Sequence, residues 1–294
     1  MRYLVVGHIC KDLAPGGWTF GGTATFAALT AHAAGWQAHV ITSTGPDLDP
    51  RAVLGDIEIA NSPAEHSTTF QNTYTPQGRV QTVQAVANHL DARLLRAVML
   101  DRQPVDVVHL APIAREVDYG WLDRVRGTFI GLTPQGWLRQ WAADGRVQRA
   151  DWPEAEFVLK RATATVISIE DIDGDEALAR QWSAWARLLV VTRGREGCSI
   201  YYDGVITDLP AMKVDEVDPT GAGDVFAAAF FIRLKQTGSP VAAARFANCM
   251  GARFVTRRGF AGIPTADEIQ QCLQTSPLFD SRQPAGARPA AVSH

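Results

Sequence analysis

The 294-residue chain lacks several marks of specialised protein classes. It has no Cys-x-x-Cys pair: Cys10, Cys198, Cys249 and Cys272 are scattered, three of them in apolar stretches. That pattern predicts no structural zinc and a reducing, cytoplasmic setting. No apolar run approaches the ~20 residues of a membrane span, because the most apolar stretch, residues 225–232, stops at Arg233. Residues 1–7 reach a glycine too soon to supply the apolar centre of a secretory signal. An excess of one charge is also missing. Lys and Arg number 28 against 31 Asp and Glu, a formal net charge of −3, which argues against nucleic-acid or membrane-surface binding and leaves small metabolites as partners. None of Lys11, Lys160, Lys213 or Lys235 follows a glycine, so a Walker-type phosphate loop is absent.

What is present is ordinary globular material, 46% apolar and 20% charged, enough for a large core. Residues 3–6 read as a strand and 23–34 as an alanine-rich helix closed by Gly35. Further short apolar runs at 38–42, 105–110, 128–132, 165–169 and 188–192, mostly separated by segments of helical composition such as 175–186, predict a parallel sheet covered by helices. Residues 67–74 and 79–84 flank a turn at 75–78 and read as a half-polar hairpin, a flap rather than core. A second hairpin, 198–202 and 205–209, turns at Asp203-Gly204 and should extend one sheet edge. Two apolar helices are expected, over 221–236 and 241–256. The expectation is one domain over residues 1–275, with lid strands around 13–20 and 67–86 and a disordered tail over 276–294.

The most informative stretch is Asp218-Pro219-Thr220-Gly221-Ala222-Gly223-Asp224-Val225-Phe226. Small residues at a helix start leave backbone N–H groups unobstructed, and with the positive end of the helix dipole these form an anion site. An aspartate beside that site could deprotonate a hydroxyl while the amides stabilise a migrating phosphoryl group. The same residues also suit plain helix capping, with Thr220 or Asp218 as cap and Asp224 as a first-turn acid. A dinucleotide fingerprint fails, since Phe226 stands at the third glycine position.

This nine-residue arrangement closely resembles the second signature of the PfkB, or ribokinase-like, family of carbohydrate and nucleoside kinases. The resemblance runs from Tyr3 to about Ala266 in family order. It implies an α/β ribokinase-like fold, a central mostly parallel sheet flanked by helices with a small β-hairpin lid. It implies phosphoryl transfer from ATP, with Mg2+ and, in some members, a monovalent cation such as K+. Asp224 takes the role of base, with the amides of Gly221, Ala222 and Gly223 around the transferred group.

For the acceptor, the resemblance places Asp12 at the end of the first strand, where a carboxylate can accept two hydroxyl hydrogen bonds. Gly21-Gly22-Thr23-Ala24-Thr25-Phe26 matches the di-glycine motif before the first helix, implicating Gly21, Gly22 and Thr25. Thr23 and Phe26 stand where ribokinases carry sugar-holding residues, so the match is nearer to the inositol kinase branch; Phe26 also keeps a nucleoside acceptor open. Gln135 and Arg139, in Pro134-Gln135-Gly136-Trp137-Leu138-Arg139, resemble a family Gln-Gly-x-x-Arg segment. For the donor, the resemblance implicates Thr192, Gly194 and Gly197 of Thr192-Arg193-Gly194-Arg195-Glu196-Gly197, together with Thr220 and Asn248. The family's Asn-x-x-Glu metal segment reads Ile167-Ser168-Ile169-Glu170-Asp171, so Glu170 or Asp171 would hold the Mg2+ shell. Flap hairpins in the family sometimes pair between subunits, which leaves room for a homodimer. The altered metal segment also leaves a non-catalytic nucleotide-binding regulator as an alternative.

Overall fold

The computed structural model describes residues 1–75, 78–97, 104–275 and 288–289. The chain enters through β1 (Arg2–Val6), makes the hairpin β2 (Cys10–Ala14) and β3 (Gly17–Gly21), then α1 (Thr23–Ala33), β4 (Gln37–Thr44), α2 (Arg51–Leu54) and β5 (Glu58–Pro63). A second hairpin, β6 (Thr69–Thr75) and β7 (Gly78–Ala85), precedes β8 (Val107–Leu110), α3 (Trp121–Arg124), β9 (Phe129–Leu132) and the small hairpin β10 (Arg139–Trp141) and β11 (Val147–Arg149). Next come α4 (Ala155–Leu159), β12 (Ala164–Ser168), α5 (Glu176–Trp185), β13 (Leu188–Thr192), β14 (Cys198–Tyr202) and β15 (Val205–Leu209). Helices α6 (Ala222–Thr237), α7 (Pro240–Phe254) and α8 (Ala266–Gln274) follow, with a two-residue strand β16 (Arg288–Pro289).

The large sheet runs β16-β15-β14-β13-β12-β9-β8-β1-β4-β5. From β5 to β13 all neighbours are parallel; β14, β15 and β16 add antiparallel strands at one edge. β1 is buried end to end, as an unbroken apolar strand must be when helices cover both faces. The chain winds outward from β1 in both directions, through β4 and β5 on one side and through β8, β9, β12 and β13 on the other. That reversal opens a crevice at the carboxyl ends of β1 and β8, where ligands of open α/β sheets bind.

Two cores pack on the two faces. One joins α1, α6 and α7 to the sheet, with Phe230, Phe231, Phe246 and Phe254 buried in it. The other gathers Trp121, Trp137, Trp152 and Trp182 beneath α4 and α5. Helix α6 is apolar nearly all round, and residues 225–232 are all buried, at about 1.5–3 kcal/mol for each large side chain. Its charge-poor sequence reflects an interior helix, and among the described residues no helix is long and apolar enough to cross a membrane.

The hairpin expected around 67–84 forms from β6 and β7 and belongs to a larger sheet. β6 pairs in parallel with β2, giving a four-stranded sheet β3-β2-β6-β7 above the crevice. Its β7 edge is tied down by Val83 N–H donating to Gly145 O at 2.8 Å, from the β10–β11 hairpin. The strand β5 and the β10–β11 hairpin carry no regular apolar alternation and escaped sequence analysis.

Two expectations need correcting. The cysteines are not all isolated thiols: Cys249 on α7 and Cys272 on α8 form a disulfide, which the reading of a reducing setting did not foresee. Helix packing brings together residues 23 apart in sequence, a closeness that local spacing does not show. Cys10 and Cys198 are free and buried. The tail was expected to be disordered, yet Arg288–Pro289 pairs with β15; the remainder of 276–294 and the centre of the flap turn, 76–77, lie outside the described residues.

Candidate active site

The site forms where α6 begins. Gly221 is its N-cap, with φ +90°, a conformation that strains any residue with a side chain. A Cβ there would also stand 2.6 Å from the Phe26 ring. No side chain caps the helix. Asp218 instead braces the approach, its carboxylate accepting from Thr220 N and Gly259 N at 3.0 Å each. These backbone hydrogen bonds offset burial and hold its pKa below the ordinary carboxylate value. Asp218 thus holds the turn ahead of the helix, and neither it nor Asp224 serves as the side-chain cap of α6.

Asp224 sits in the first turn of α6, and Thr23 Oγ1, from the first residue of α1, donates to its Oδ1 at 2.7 Å. Burial pushes its pKa up to about 6, the Thr23 hydrogen bond opposes that rise, Asp171 and Asp12 add to it, and Arg139 opposes it. The carboxylates of Asp12, Asp171 and Asp224 and the Arg139 guanidinium thus share one electrostatic neighbourhood, drawn from strands and helices far apart in the chain. A carboxylate with such a pKa is largely ionised at neutral pH and still a usable proton acceptor.

The amides divide the labour. Ala222 N–H is taken by Pro219 O and Asp224 N–H by Gly221 O. Among the described residues no backbone carbonyl takes the Gly223 N–H, and the space beside Gly223 is open to 4 Å. Among the described residues no backbone carbonyl takes the Gly221 N–H either, so of the three amides of the expected anion site Gly221 and Gly223 are left for a ligand, while Ala222 holds the turn.

On the acceptor side, Asp12 lies on β2 opposite Thr19, and its carboxylate occupies the space next to Gly21, where a Cβ would stand 2.1 Å from Oδ2. Gly22 has φ +92° and lies against His8 O, so the di-glycine lets β3, β1's end and α1 converge. Thr25 is fully buried and its hydroxyl donates to Gly21 O at 2.7 Å. It braces the di-glycine rather than facing the crevice, because one helical turn places it over Gly21. The hydroxyl that reaches the site is Thr23. Phe26 packs under Gly221 against Phe254 and Phe260, so it does not line a base pocket.

Gln135 Nε2 donates to Asp171 Oδ1 at 3.0 Å, and Arg139 Nη1 donates to Ile113 O at 3.0 Å with its guanidinium over Phe70 of the lid. Both residues join the site. Asp171 also accepts from Ser168 N in a capping box, whereas Glu170 is exposed. Among the described residues no cluster of three or more His, Cys, Asp or Glu side chains is arranged to hold a metal. One or two carboxylates still fit Mg2+ when phosphates and water supply its other ligands.

Among the residues expected to hold the donor, Thr192 ends β13 and donates to Ile167 O, and Gly194 and Gly197 both have positive φ in the turn that follows. Asn248 on α7 donates to Pro210 O at 3.3 Å and approaches Cys198 Sγ, which sets it beside this turn. Thr220 is exposed on the approach to α6. Thr23 and Glu116 were missed. The buried Glu116 carboxylate accepts from His8 N, Ile113 N and Ala114 N, locking the ends of β1 and β8. No motif marks Glu116, and the sequence presents Thr23 only as a departure from the sugar-holding residues of ribokinases, with no sign of a contact to Asp224.

The chain is similar to known proteins. Residues 153–266 match the model of the pfkB family carbohydrate kinases. Inositol 3-kinase of Zea mays is 30% identical over 290 residues, covering 89% of this chain and 73% of the relative. A pyrophosphate-dependent kinase in the ribokinase family, solved with a pyrophosphate analog and myo-inositol, superposes with TM-score 0.74 at 20% identity, covering 91% and 99% of the two chains. Arabidopsis thaliana ribokinase, solved with ribose and ATP, gives TM-score 0.71 at 16% identity, covering 93% and 98%. The fold is ribokinase-like, and the chain belongs to the pfkB family of carbohydrate kinases.

Proposed function

We propose that this protein transfers the terminal phosphoryl group of ATP to a hydroxyl of a cyclic polyol or sugar. The observation that carries the reading is the Asp224 carboxylate, held by Thr23 and raised to about 6, beside the open Gly223 amide at the start of α6. Asp224 takes the hydroxyl proton, the hydroxyl oxygen bonds to phosphorus, and the bond to the departing ADP oxygen breaks. The Gly223 N–H and the helix dipole stabilise the charge that develops on the phosphoryl oxygens. Asp12 holds neighbouring hydroxyls of the acceptor, with Arg139 and Gln135 close by. Asp171, with Glu170, would hold the water shell of Mg2+, which neutralises donor phosphate charge when bound. The lid over the crevice excludes water that would hydrolyse the donor.

Two observations refine this. The donor turn is flanked by exposed apolar side chains, Met212, Val214 and Val217, on the segment that follows Pro210. A nucleobase would cover them and pyrophosphate would not, which favours ATP. A nucleoside acceptor loses its support because Phe26 is packed away, and the polyol known to bind one structural neighbour, myo-inositol, suits Asp12. The test is initial-rate phosphorylation of myo-inositol, fructose, ribose, adenosine and cytidine, with ATP and with pyrophosphate. Turnover is expected with ATP and a polyol or sugar, and Asp12→Ala should raise the acceptor KM with little change in the donor KM. Absence of any phosphorylated product with either donor overturns the reading.

A further inference from the structure

Arg193 lies inside the turn assigned to the donor, yet its side chain leaves the site. Both ends of its fork bind Glu176 in the first turn of α5, with Nη2 3.1 Å from Oε2. Its Nε donates to Ser199 Oγ at 3.0 Å, and Ser199 Oγ donates in turn to Asp208 Oδ1 at 2.7 Å on β15. Its backbone N–H closes the turn onto Gly197 O at 2.8 Å. Ser199 and Tyr201 face the α5 side of the sheet, whereas Cys198, beside Asn248, belongs to the core on the α7 side. The guanidinium therefore grips the sheet from the face opposite Asn248. Glu176 raises the Arg193 pKa further, as a close bidentate pair does. The side chain is only 19% exposed.

We infer that Arg193 is a positioning residue of the donor site: its grip on Glu176 and Ser199 fixes the backbone of residues 192–197 against the donor phosphates. The inference rests on the reading of that turn as the donor site under Proposed function. Such a role needs the planar fork, because a single ammonium cannot bond two carboxylate oxygens and a hydroxyl in one plane. A cavity of about 600 Å3, lined by Glu176, Arg193, Ser199 and Asp208 among others, adjoins the pair. Water can enter there when the side chain is shortened, so truncation should spare the core.

The test compares wild type, Arg193→Gln, Glu176→Gln and Arg193→Lys in full-length protein. Donor and acceptor KM are measured for the acceptor wild type uses, alongside calorimetric binding of Mg-ATP and thermal unfolding. Arg193→Gln is expected to raise the donor KM and the Mg-ATP dissociation constant roughly 10-fold, with the acceptor KM unchanged and the unfolding temperature nearly so. Glu176→Gln should move the same constants the same way, Arg193→Lys should recover only part, and a variant combining Arg193→Gln with Glu176→Gln should be no worse than Arg193→Gln alone. Unchanged Mg-ATP binding in Arg193→Gln overturns the inference, as does an equal rise in both KM values with a fall in unfolding temperature. Wild type that binds Mg-ATP but yields no product removes the kinase reading while the binding comparison still decides the role of Arg193. Wild type that binds no Mg-ATP overturns both.

Discussion

Replacing Asp224 with asparagine should stop catalysis and stabilise the fold in the same step. Asp224 carries a pKa of about 6 against an ordinary 3.8, chiefly because burial penalises its charge. Between those two values the native protein holds a proton that the unfolded chain has released, so native stability falls as pH rises through that window. A rise of about two pH units corresponds to about 3 kcal/mol at neutral pH and above, at about 1.4 kcal/mol per unit. Asparagine carries no charge and can still accept from Thr23, so the variant should recover about 1–3 kcal/mol at pH 8. That gain amounts to about 2–6 °C in unfolding temperature. The gain should shrink by about half at pH 5 and vanish below about pH 4, where both forms are neutral. Turnover at pH 8 should drop ~100-fold or more with Mg-ATP binding retained, as expected for loss of a general base. Thermal melts at pH 8, 5 and 4 with initial rates at pH 8 decide the matter. A variant less stable than wild type at pH 8, or equally favoured at pH 4, refutes the charge-burial argument, and near wild-type turnover removes Asp224 from the chemistry.

Three further outcomes are expected. The pH profile of turnover should have an acidic limb with a midpoint near Asp224's value of about 6. Thr23→Val should move that midpoint up by about one unit, since a hydrogen bond to a charged group contributes about 1.5 kcal/mol, and an unmoved midpoint would separate Thr23 from the base. Gly221→Ala places a Cβ 2.6 Å from Phe26 at φ +90°, so stability should fall by about 1–3 kcal/mol and activity further, as melts and rates at one pH would show. Thiol titration of the denatured protein should find two groups, Cys10 and Cys198, and four after reduction. Opening the Cys249–Cys272 bridge should lower stability by about 3 kcal/mol, and four thiols without reductant would contradict the bridge.

The legible part of this protein lies where local rules act alone. Apolar strand runs at 3–6 and 188–192, the Asp203-Gly204 turn and the glycine-rich entry to α6 each fix their conformation through neighbours in the chain, so the sheet, the edge hairpin and Asp224 could be read from residue order. Contacts between distant segments could not. Thr23 and Asp224 are 201 residues apart, Gln135 and Asp171 are 36 apart, and only the winding of the sheet about β1 brings them into one crevice. Thr25 and Thr23 look equivalent as letters, yet a two-residue step on α1 turns one hydroxyl back to Gly21 and the other to Asp224. Cys249 and Cys272 likewise became partners through the packing of α7 on α8. Local propensity acts over a few residues, whereas charge burial, shared hydrogen bonds and cross-links depend on which surfaces the folded chain presses together.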